Sequence, residues 1–323
     1  MEPTILLSVK NLNISISNFN ILKNISFDLK KNQILGFVGE SGSGKSITAF
    51  SIINLLNAKN LEKKGKIIFN GNRIDSISDK KFEKIRGSQI SMIFQEPMSS
   101  LNPSMKCGNQ VLEILLKHKN LNSKEGSIRV LNLFSKVKLK NPKSIFEKFP
   151  HELSGGQQQR VMIAIAISCN PKILIADEPT TSLDGIVKKE IISLLKEIQK
   201  ETKMSIIFVS HDLNLVSKFA NNIIVLNNGV IVESGTSSKI FINPENKYTK
   251  LLLSSRTPKK GRPVRLPTEE NKLTKYPLIT KKERDKRHQK IYSNEPILMV
   301  KNLSFSYGEG LLLSNLSFNL FKG

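Results

Sequence analysis

Short apolar segments alternate with amphipathic stretches along most of the chain. Residues 34–38 are all apolar or glycine, a pattern typical of a strand that is covered on both faces. The predicted strands cover residues 6–9, 14–16, 25–29, 34–38, 67–69, 90–94, 173–176, 206–209 and 223–226. The predicted helices cover residues 45–56, 157–168, 187–202 and 213–220.

Strands that alternate with helices predict an α/β fold with a mostly parallel sheet and right-handed crossovers. The segment from about residue 97 to residue 152 breaks this rhythm and is mainly of helical pattern. We therefore expect one domain over residues 1–253, with a helical subdomain inserted at about 97–152.

The character of the sequence changes after residue 253. Residues 254–294 contain 13 lysines and arginines, 4 acidic residues and four prolines, and their few apolar residues follow no period. This composition predicts a basic flexible linker, with an interaction arm as the alternative.

The beginning of the chain is then repeated. Residues 296–303 resemble residues 4–12 and share the run Val-Lys-Asn-Leu, and residues 313–320 resemble residues 22–29 at matched spacing. A repeat at this distance indicates a second copy of the same domain. Because the sequence given stops at Gly323, we expect residues 295–323 to be a truncated start of that copy. The alternative is an inactive, truncated gene product.

A glycine-rich motif follows the buried strand at 34–38 and precedes a predicted helix. It matches the pattern G-x-x-x-x-G-K-[ST], in which backbone N–H groups and the helix N-terminus hold phosphates. The lysine would reach the β- and γ-phosphates, and the serine after it would bind Mg²⁺. The motif consists of Gly39, Glu40, Ser41, Gly42, Ser43, Gly44, Lys45 and Ser46.

Two acidic residues end another apolar run. Asp177 is expected at the end of the strand at 173–176, close to the phosphate loop, where its carboxylate can hold Mg²⁺ through water. Glu178 is next in the chain and is suited to act as the general base for an attacking water.

A third motif, Leu153-Ser154-Gly155-Gly156-Gln157, precedes a helix that Ser154 is suited to cap. With the two motifs above it resembles the ABC ATPase family, whose signature is LSGGQ. Other marks of the family follow in order, and the resemblance covers residues 5 to about 253. These marks are Gln95, the run Ser182-Leu183-Asp184, and His211 after a strand.

The resemblance implies a P-loop NTPase fold with an additional antiparallel β subdomain, and ATP and Mg²⁺ as ligands. It assigns catalysis to Glu178, His211 and Gln95, and metal binding to Ser46, Gln95 and Asp177. In this family ATP is sandwiched between the phosphate loop of one domain and the LSGGQ helix of another. The ATP held by the second domain would contact Ser154, Gly155, Gly156 and Gln157 of this chain, and Asp184 would join the two domains.

Residues 94–103, the pair His151-Glu152 and the run at 244–252 resemble the peptide/nickel importer branch of the family. The implied partners are transmembrane permease subunits, a second ATPase domain in a homo- or heterodimer, and indirectly a substrate-binding protein. The chain lacks the cysteine cluster that single-domain members carry after this point, and resembles instead the fused, two-domain members. Ile16 lies where an aromatic residue usually stacks on adenine, with Phe19 as the nearest substitute.

Charge and composition change this picture little. The formal charge of +23 fits either an anionic partner or the composition of an AT-rich coding sequence. We expect no nucleic acid partner, although a tandem ATPase acting on ribosomes or nucleic acid is the alternative function. The sequence has no apolar run near 18 residues and no signal-peptide pattern, and we expect its two cysteines to be reduced thiols. A cytoplasmic protein on the inner face of the cell membrane is expected.

Overall fold

A computed structural model of the chain describes residues 4–254, 262–263, 278–307 and 310–322. The chain divides into two units, Met1–Leu253 and Ser254–Gly323.

The first unit contains ten strands and eleven helices in its described part. The strands are β1 (Ile5–Ile16), β2 (Phe19–Lys30), β3 (Ile34–Val38), β4 (Leu61–Phe69), β5 (Asn72–Arg73), β6 (Ile90–Ile93), β7 (Ile173–Asp177), β8 (Ser205–Val209), β9 (Asn222–Asn227) and β10 (Val230–Thr236). The helices are α1 (Lys45–Ile52), α2 (Asp79–Phe82), α3 (Pro97–Ser100), α4 (Cys107–His118), α5 (Ser123–Lys136), α6 (Pro142–Glu147), α7 (Gly155–Ile167), α8 (Gly185–Thr202), α9 (Leu213–Phe219), α10 (Ser237–Ile242) and α11 (Lys247–Ser254).

The central sheet has six strands in the order β10-β9-β3-β8-β7-β6, and all neighbours except β10 and β9 are parallel. Every residue of β3, β7 and β8 is buried, as expected for strands covered on both faces. A second sheet, β2-β1-β4-β5, is antiparallel. The predicted α/β fold with an antiparallel β subdomain is confirmed.

Between residues 97 and 152 the regular elements are all helical: α3 to α6 and a single 3₁₀ turn, Pro150–Glu152. Their apolar faces join the core beneath the central sheet through Val111, Leu115, Val130 and Phe134. Cys107 and Cys169 are buried free thiols, as predicted, and burial raises the pKa of Cys107 to about 11. Among the described helices, none has the length and apolar character that crossing a bilayer requires.

The second unit contains the paired strands β11 (Arg262–Pro263) and β12 (Leu278–Ile279), helix α12 (Lys281–Tyr292) and the hairpin β13 (Leu298–Tyr307) and β14 (Gly310–Leu320). Helix α12 lies in the segment interpreted as a linker from its sequence. It buries none of its residues, and its first turn is closed by a capping box between Thr280 and Glu283. Residues 255–261 and 264–277 of the predicted linker lie outside the described residues.

The two hairpins share an irregularity as well as their sequence. Both have a register shift at an asparagine with positive φ, Asn11 (φ 49) and Asn302 (φ 52). In each case the asparagine N–H donates to a serine hydroxyl 2.8 Å away, Ser26 in one hairpin and Ser317 in the other. The repeat seen in the sequence is therefore also a repeat of local backbone structure.

Candidate functional site

Several predicted site residues lie at one edge of the central sheet. Asp177 is the last residue of β7, Gln95 follows β6, and His211 follows β8. The phosphate loop follows β3 and leads into α1, which begins at Lys45. Because the carboxyl ends of parallel strands meet at one edge, this topology brings residues far apart in sequence to one place.

Lys45 is turned into the phosphate loop. Its side chain is 5 % exposed, and Nζ donates to the carbonyl oxygens of Gly39 and Glu40 at 2.9 and 2.8 Å. Burial lowers the pKa of the Lys45 ammonium, and the charges of Glu178, Asp177 and Glu40 raise it in opposition. A cation held by loop carbonyls at a helix N-terminus is suited to bind phosphate.

The loop is also held from outside by the turn between β9 and β10. The Gly229 N–H donates to the carbonyl of Ser43 at 3.1 Å, and the Gly229 carbonyl accepts from the N–H of Lys23 at 2.7 Å. Gly229 has φ 76, and a Cβ there would lie 1.9 Å from the carbonyl oxygen of Ile21. The turn therefore requires glycine at position 229 for two reasons: the backbone conformation and the close approach to strand β2.

Replacing Gly229 by alanine is expected to lower the free energy of unfolding by about 2 kcal/mol or more, since backbone strain and a steric clash add together. Gly71 is a matched control, because its φ is 81 and a Cβ there would meet nothing within 4 Å. Alanine at Gly71 should cost only about 1 kcal/mol from the backbone conformation. Urea unfolding of both variants measures the difference, and equal losses would contradict the role of the Ile21 contact.

Ser46 and Asp177 form a pair of oxygen donors beside the loop. The Ser46 hydroxyl donates to Asp177 Oδ1 at 3.1 Å. Asp177 is buried, with only 2 % of its surface exposed. Burial raises the pKa of Asp177, against the Ser46 hydrogen bond, which lowers it. The described residues hold no group of three or more His, Cys, Asp or Glu placed to bind a metal by themselves. One carboxylate and one hydroxyl suit Mg²⁺, which usually takes its remaining ligands from phosphates and water.

Glu178 accepts hydrogen bonds from three side chains on its Oε2 atom. The Thr181 hydroxyl lies 2.7 Å away, His211 Nδ1 2.9 Å and Gln95 Nε2 3.4 Å. Burial by itself raises the pKa of Glu178, but the hydrogen bonds from His211 and Thr181 outweigh it and hold the pKa below its ordinary value. The carboxylate is therefore ionised at neutral pH, as a proton acceptor must be. Thr181 is not among the residues predicted from the sequence, although its hydroxyl lies only three residues after the glutamate.

The LSGGQ residues lie at the start of a different helix. Ser154 caps α7, as predicted, in a capping box with Gln157. Gly156 lies against α8, since a Cβ on it would come within 3.0 Å of Val187 Cγ1. Asp184 caps α8 by accepting from the N–H groups of Ile186 and Val187 at 2.9 and 3.0 Å.

The structure thus groups the predicted residues in two sets. One set comprises the phosphate loop, Gln95, Asp177, Glu178 and His211, and the other comprises residues 154–157 and Asp184. Within the described part of the chain, no hydrogen bond joins residues 154–157 to the phosphate loop.

Phe19, the nearest aromatic residue to the expected adenine position, begins β2 opposite Ile16 and is 77 % exposed. An exposed ring at this place has a face available for stacking on a base.

Comparison with known proteins places these features in a family. The family model described as ABC transporter matches residues 22–181. The chain is 43 % identical to the oligopeptide transport ATP-binding protein OppD of Bacillus subtilis, over 79 % of the chain and 73 % of that protein. It is 44 % identical to the dipeptide transport ATP-binding protein DppD of Lactococcus lactis, over 77 % of the chain and 73 % of that protein.

A third relative matches nearly the whole chain. The glutathione import ATP-binding protein GsiA of Shigella dysenteriae is 36 % identical over 98 % of the chain, which spans about half (54 %) of that protein.

Solved structures agree with the fold. One is cbiO1 of Clostridium perfringens, part of the ABC transporter complex cbiONQ, with 30 % identity, a TM-score of 0.64, and coverage of 74 % of this chain and 92 % of that one. Another is a dimeric ATP-binding cassette in a post-hydrolysis state with ADP and Pi, with 28 % identity, a TM-score of 0.64, and coverage of 72 % of this chain and 99 % of that one.

Proposed function

Because the chain belongs to the ABC transporter family, we propose that it is the ATP-hydrolysing subunit of an importer for di- or oligopeptides or related small peptides. The observation that carries this proposal is the convergence of Lys45, Asp177 and Glu178 at one edge of the sheet. The peptide cargo is supported by the two relatives named as oligopeptide and dipeptide transport proteins, at 43 % and 44 % identity.

The phosphate loop, Gln95, Asp177, Glu178 and His211 have different roles in ATP hydrolysis. Lys45 and backbone N–H groups of the phosphate loop would bind the phosphates, and Ser46, Asp177 and Gln95 would hold Mg²⁺. When bound there, Mg²⁺ would supply positive charge that stabilises the phosphate oxygens. The Glu178 carboxylate accepts the proton of a water that attacks the γ-phosphorus, while the bond from that phosphorus to the leaving ADP oxygen breaks. His211 and Gln95 orient the carboxylate, which the contacts on its Oε2 atom support.

The second set serves another nucleotide. The capped N-terminus of α7 presents Ser154, Gly155, Gly156 and Gln157 to the ATP held by a second ATPase domain, and Asp184 contributes to the contact between the domains. This assignment is supported by the dimeric state of the related cassette bound to ADP and Pi. The partner domain is a second copy of the chain or a homologous cassette.

The remaining partners follow from the same role. The chain docks on transmembrane permease subunits at the cytoplasmic face of the membrane, and a substrate-binding protein delivers the peptide to those permeases. The match to GsiA extends beyond residue 253, over 98 % of the chain. This extent supports residues 295–323 as the start of a second ATPase domain joined through the segment at 254–294.

Peptide uptake tests the proposal directly. Deleting the gene should abolish uptake of labelled di- or tripeptides into cells. The wild-type gene should restore uptake, and the Glu178→Gln gene should not. Unchanged uptake together with co-sedimentation of the chain with ribosomes at high salt would overturn the importer function in favour of a ribosomal one.

A further inference from the structure

Helix α11 makes a hydrogen bond to the phosphate loop that the assigned motifs do not account for. The N–H of Glu40, inside the loop, donates to the hydroxyl of Tyr248 at 3.0 Å. The two residues are 208 positions apart in sequence. Burial raises the pKa of the Tyr248 phenol, so the hydroxyl is neutral at physiological pH and accepts this bond in its protonated form.

The Tyr248 bond and the Lys45 bond meet on one peptide group. The Glu40 N–H belongs to the same planar peptide unit as the Gly39 carbonyl, and that carbonyl accepts from Lys45 Nζ at 2.9 Å. In a trans peptide the N–H and C=O point in opposite directions, so fixing one direction fixes the other. Tyr248 therefore determines where the Gly39 carbonyl points, and with it one of the acceptors that hold the lysine.

The tyrosine is itself held in place at both its backbone and its ring. Its N–H donates to Asn246 Oδ1 at 2.8 Å, and the Asn246 N–H donates to the carboxylate of Glu233 on β10 at 3.1 Å. The ring packs against the core together with Leu252 and Leu253 of the same helix. A hydroxyl on so well-anchored a side chain has little freedom to move away from the loop.

We propose that Tyr248 is a positioning residue for nucleotide binding, which orients the Gly39–Glu40 peptide and thereby Lys45 before the phosphates arrive. The inference rests on the proposed function, because it assumes that residues 39–46 bind ATP. A pre-oriented loop loses less conformational entropy on binding, so its phosphate affinity is higher than that of a loop free to rotate.

Tyr248→Phe removes the hydroxyl and keeps the ring. The dissociation constants of the full chain for MgATP and MgADP, measured by titration calorimetry, should both rise about threefold to tenfold, the range for one hydrogen bond. In ATPase assays KM should rise by the same factor, with kcat within about twofold of wild type. Tyr248→Leu should weaken nucleotide binding as much as Tyr248→Phe, although its smaller side chain lowers the melting temperature further.

Tyr292→Phe is the matched control, since Tyr292 lies in α12 and its ring contacts His288 and Phe321. It should leave both dissociation constants unchanged. A lower melting temperature for Tyr248→Phe with wild-type dissociation constants would show a purely structural role and overturn the inference, and so would tighter binding. If the wild-type chain did not bind MgATP, both the proposed function and the inference would be overturned. If the wild-type chain bound MgATP with the same dissociation constant as Tyr248→Phe, only the inference would be overturned.

Discussion

Replacing Glu178 by glutamine is expected to lower the steady-state ATPase rate by at least about 100-fold, the scale of a general base. The amide is nearly the same size and still accepts hydrogen bonds from Thr181 and His211, but it cannot take a proton from water. Lys45 and Ser46 remain in place, so MgATP should still bind with an affinity close to that of wild type. Phosphate release and calorimetric titration measure the two effects separately.

Glu197→Gln is the control for this prediction, since Glu197 pairs with Lys138 and both side chains are 53 % exposed. Its ATPase rate should match that of wild type. A Glu178→Gln protein that keeps more than a tenth of the wild-type rate would remove Glu178 from the role of general base.

The same Glu178→Gln variant tests which partner completes the site. If two copies of the chain pair, MgATP should shift the variant to a dimer on a sizing column, because the nucleotide is bound but not consumed. A variant that stays monomeric with MgATP would exclude the homodimer and leave a homologous cassette as the partner.

Replacing Lys45 by alanine is expected to weaken MgATP binding on the order of 100-fold, since a charged hydrogen bond to phosphate is lost. The loop carbonyls of Gly39 and Glu40 also lose the cation that they share. Hydrolysis should fall with binding, and calorimetric titration of the full chain gives the affinity.

Lys63→Ala is a matched control for this second prediction. Burial lowers the pKa of Lys63 as it does that of Lys45, and Lys63 Nζ donates to a backbone carbonyl, that of Ser51, at 3.0 Å. Its loss should lower stability without changing nucleotide affinity by more than about twofold, which is under 0.5 kcal/mol. If both variants weakened MgATP equally, the effect of Lys45 would be one of stability rather than of phosphate binding.

The sequence predicted the buried parts of the fold better than the exposed ones. Strands β3, β7 and β8 are buried at every residue, and each contains four or five consecutive residues that are apolar or glycine, with only Asp177 at the end of β7 and Ser205 at the start of β8 as polar members. Strand β10 was not predicted, because none of its residues is fully buried and its sequence ends in Glu-Ser-Gly-Thr. Helix α12 was not predicted either, since it has no apolar face and depends on its Thr280 cap and on straight-chain residues of good helix propensity.

For the candidate site, local motifs identified the residues whose role depends on their own neighbours in sequence. Lys45, Asp177 and Glu178 belong to such motifs, and the structure brings them together at the sheet edge. Thr181 and Tyr248 were not identified as site residues, because their importance comes from contacts made only in the folded chain. Nothing in the sequence near Tyr248 indicates that its hydroxyl bonds to a loop residue 208 positions away.

The hydrogen bonds of Gly229 and Tyr248 to the phosphate loop also limit how far the protein can be truncated at its C-terminal side. A fragment that ended just after His211 would retain every motif shared by the ABC ATPases, and the match to the family model ends at residue 181. Such a fragment would lack the Gly229 N–H that holds Ser43 and the Tyr248 hydroxyl that holds Glu40. Recombinant versions of the ATPase domain should therefore extend through Ser254, the last residue of α11, if their nucleotide affinity is to represent that of the whole chain.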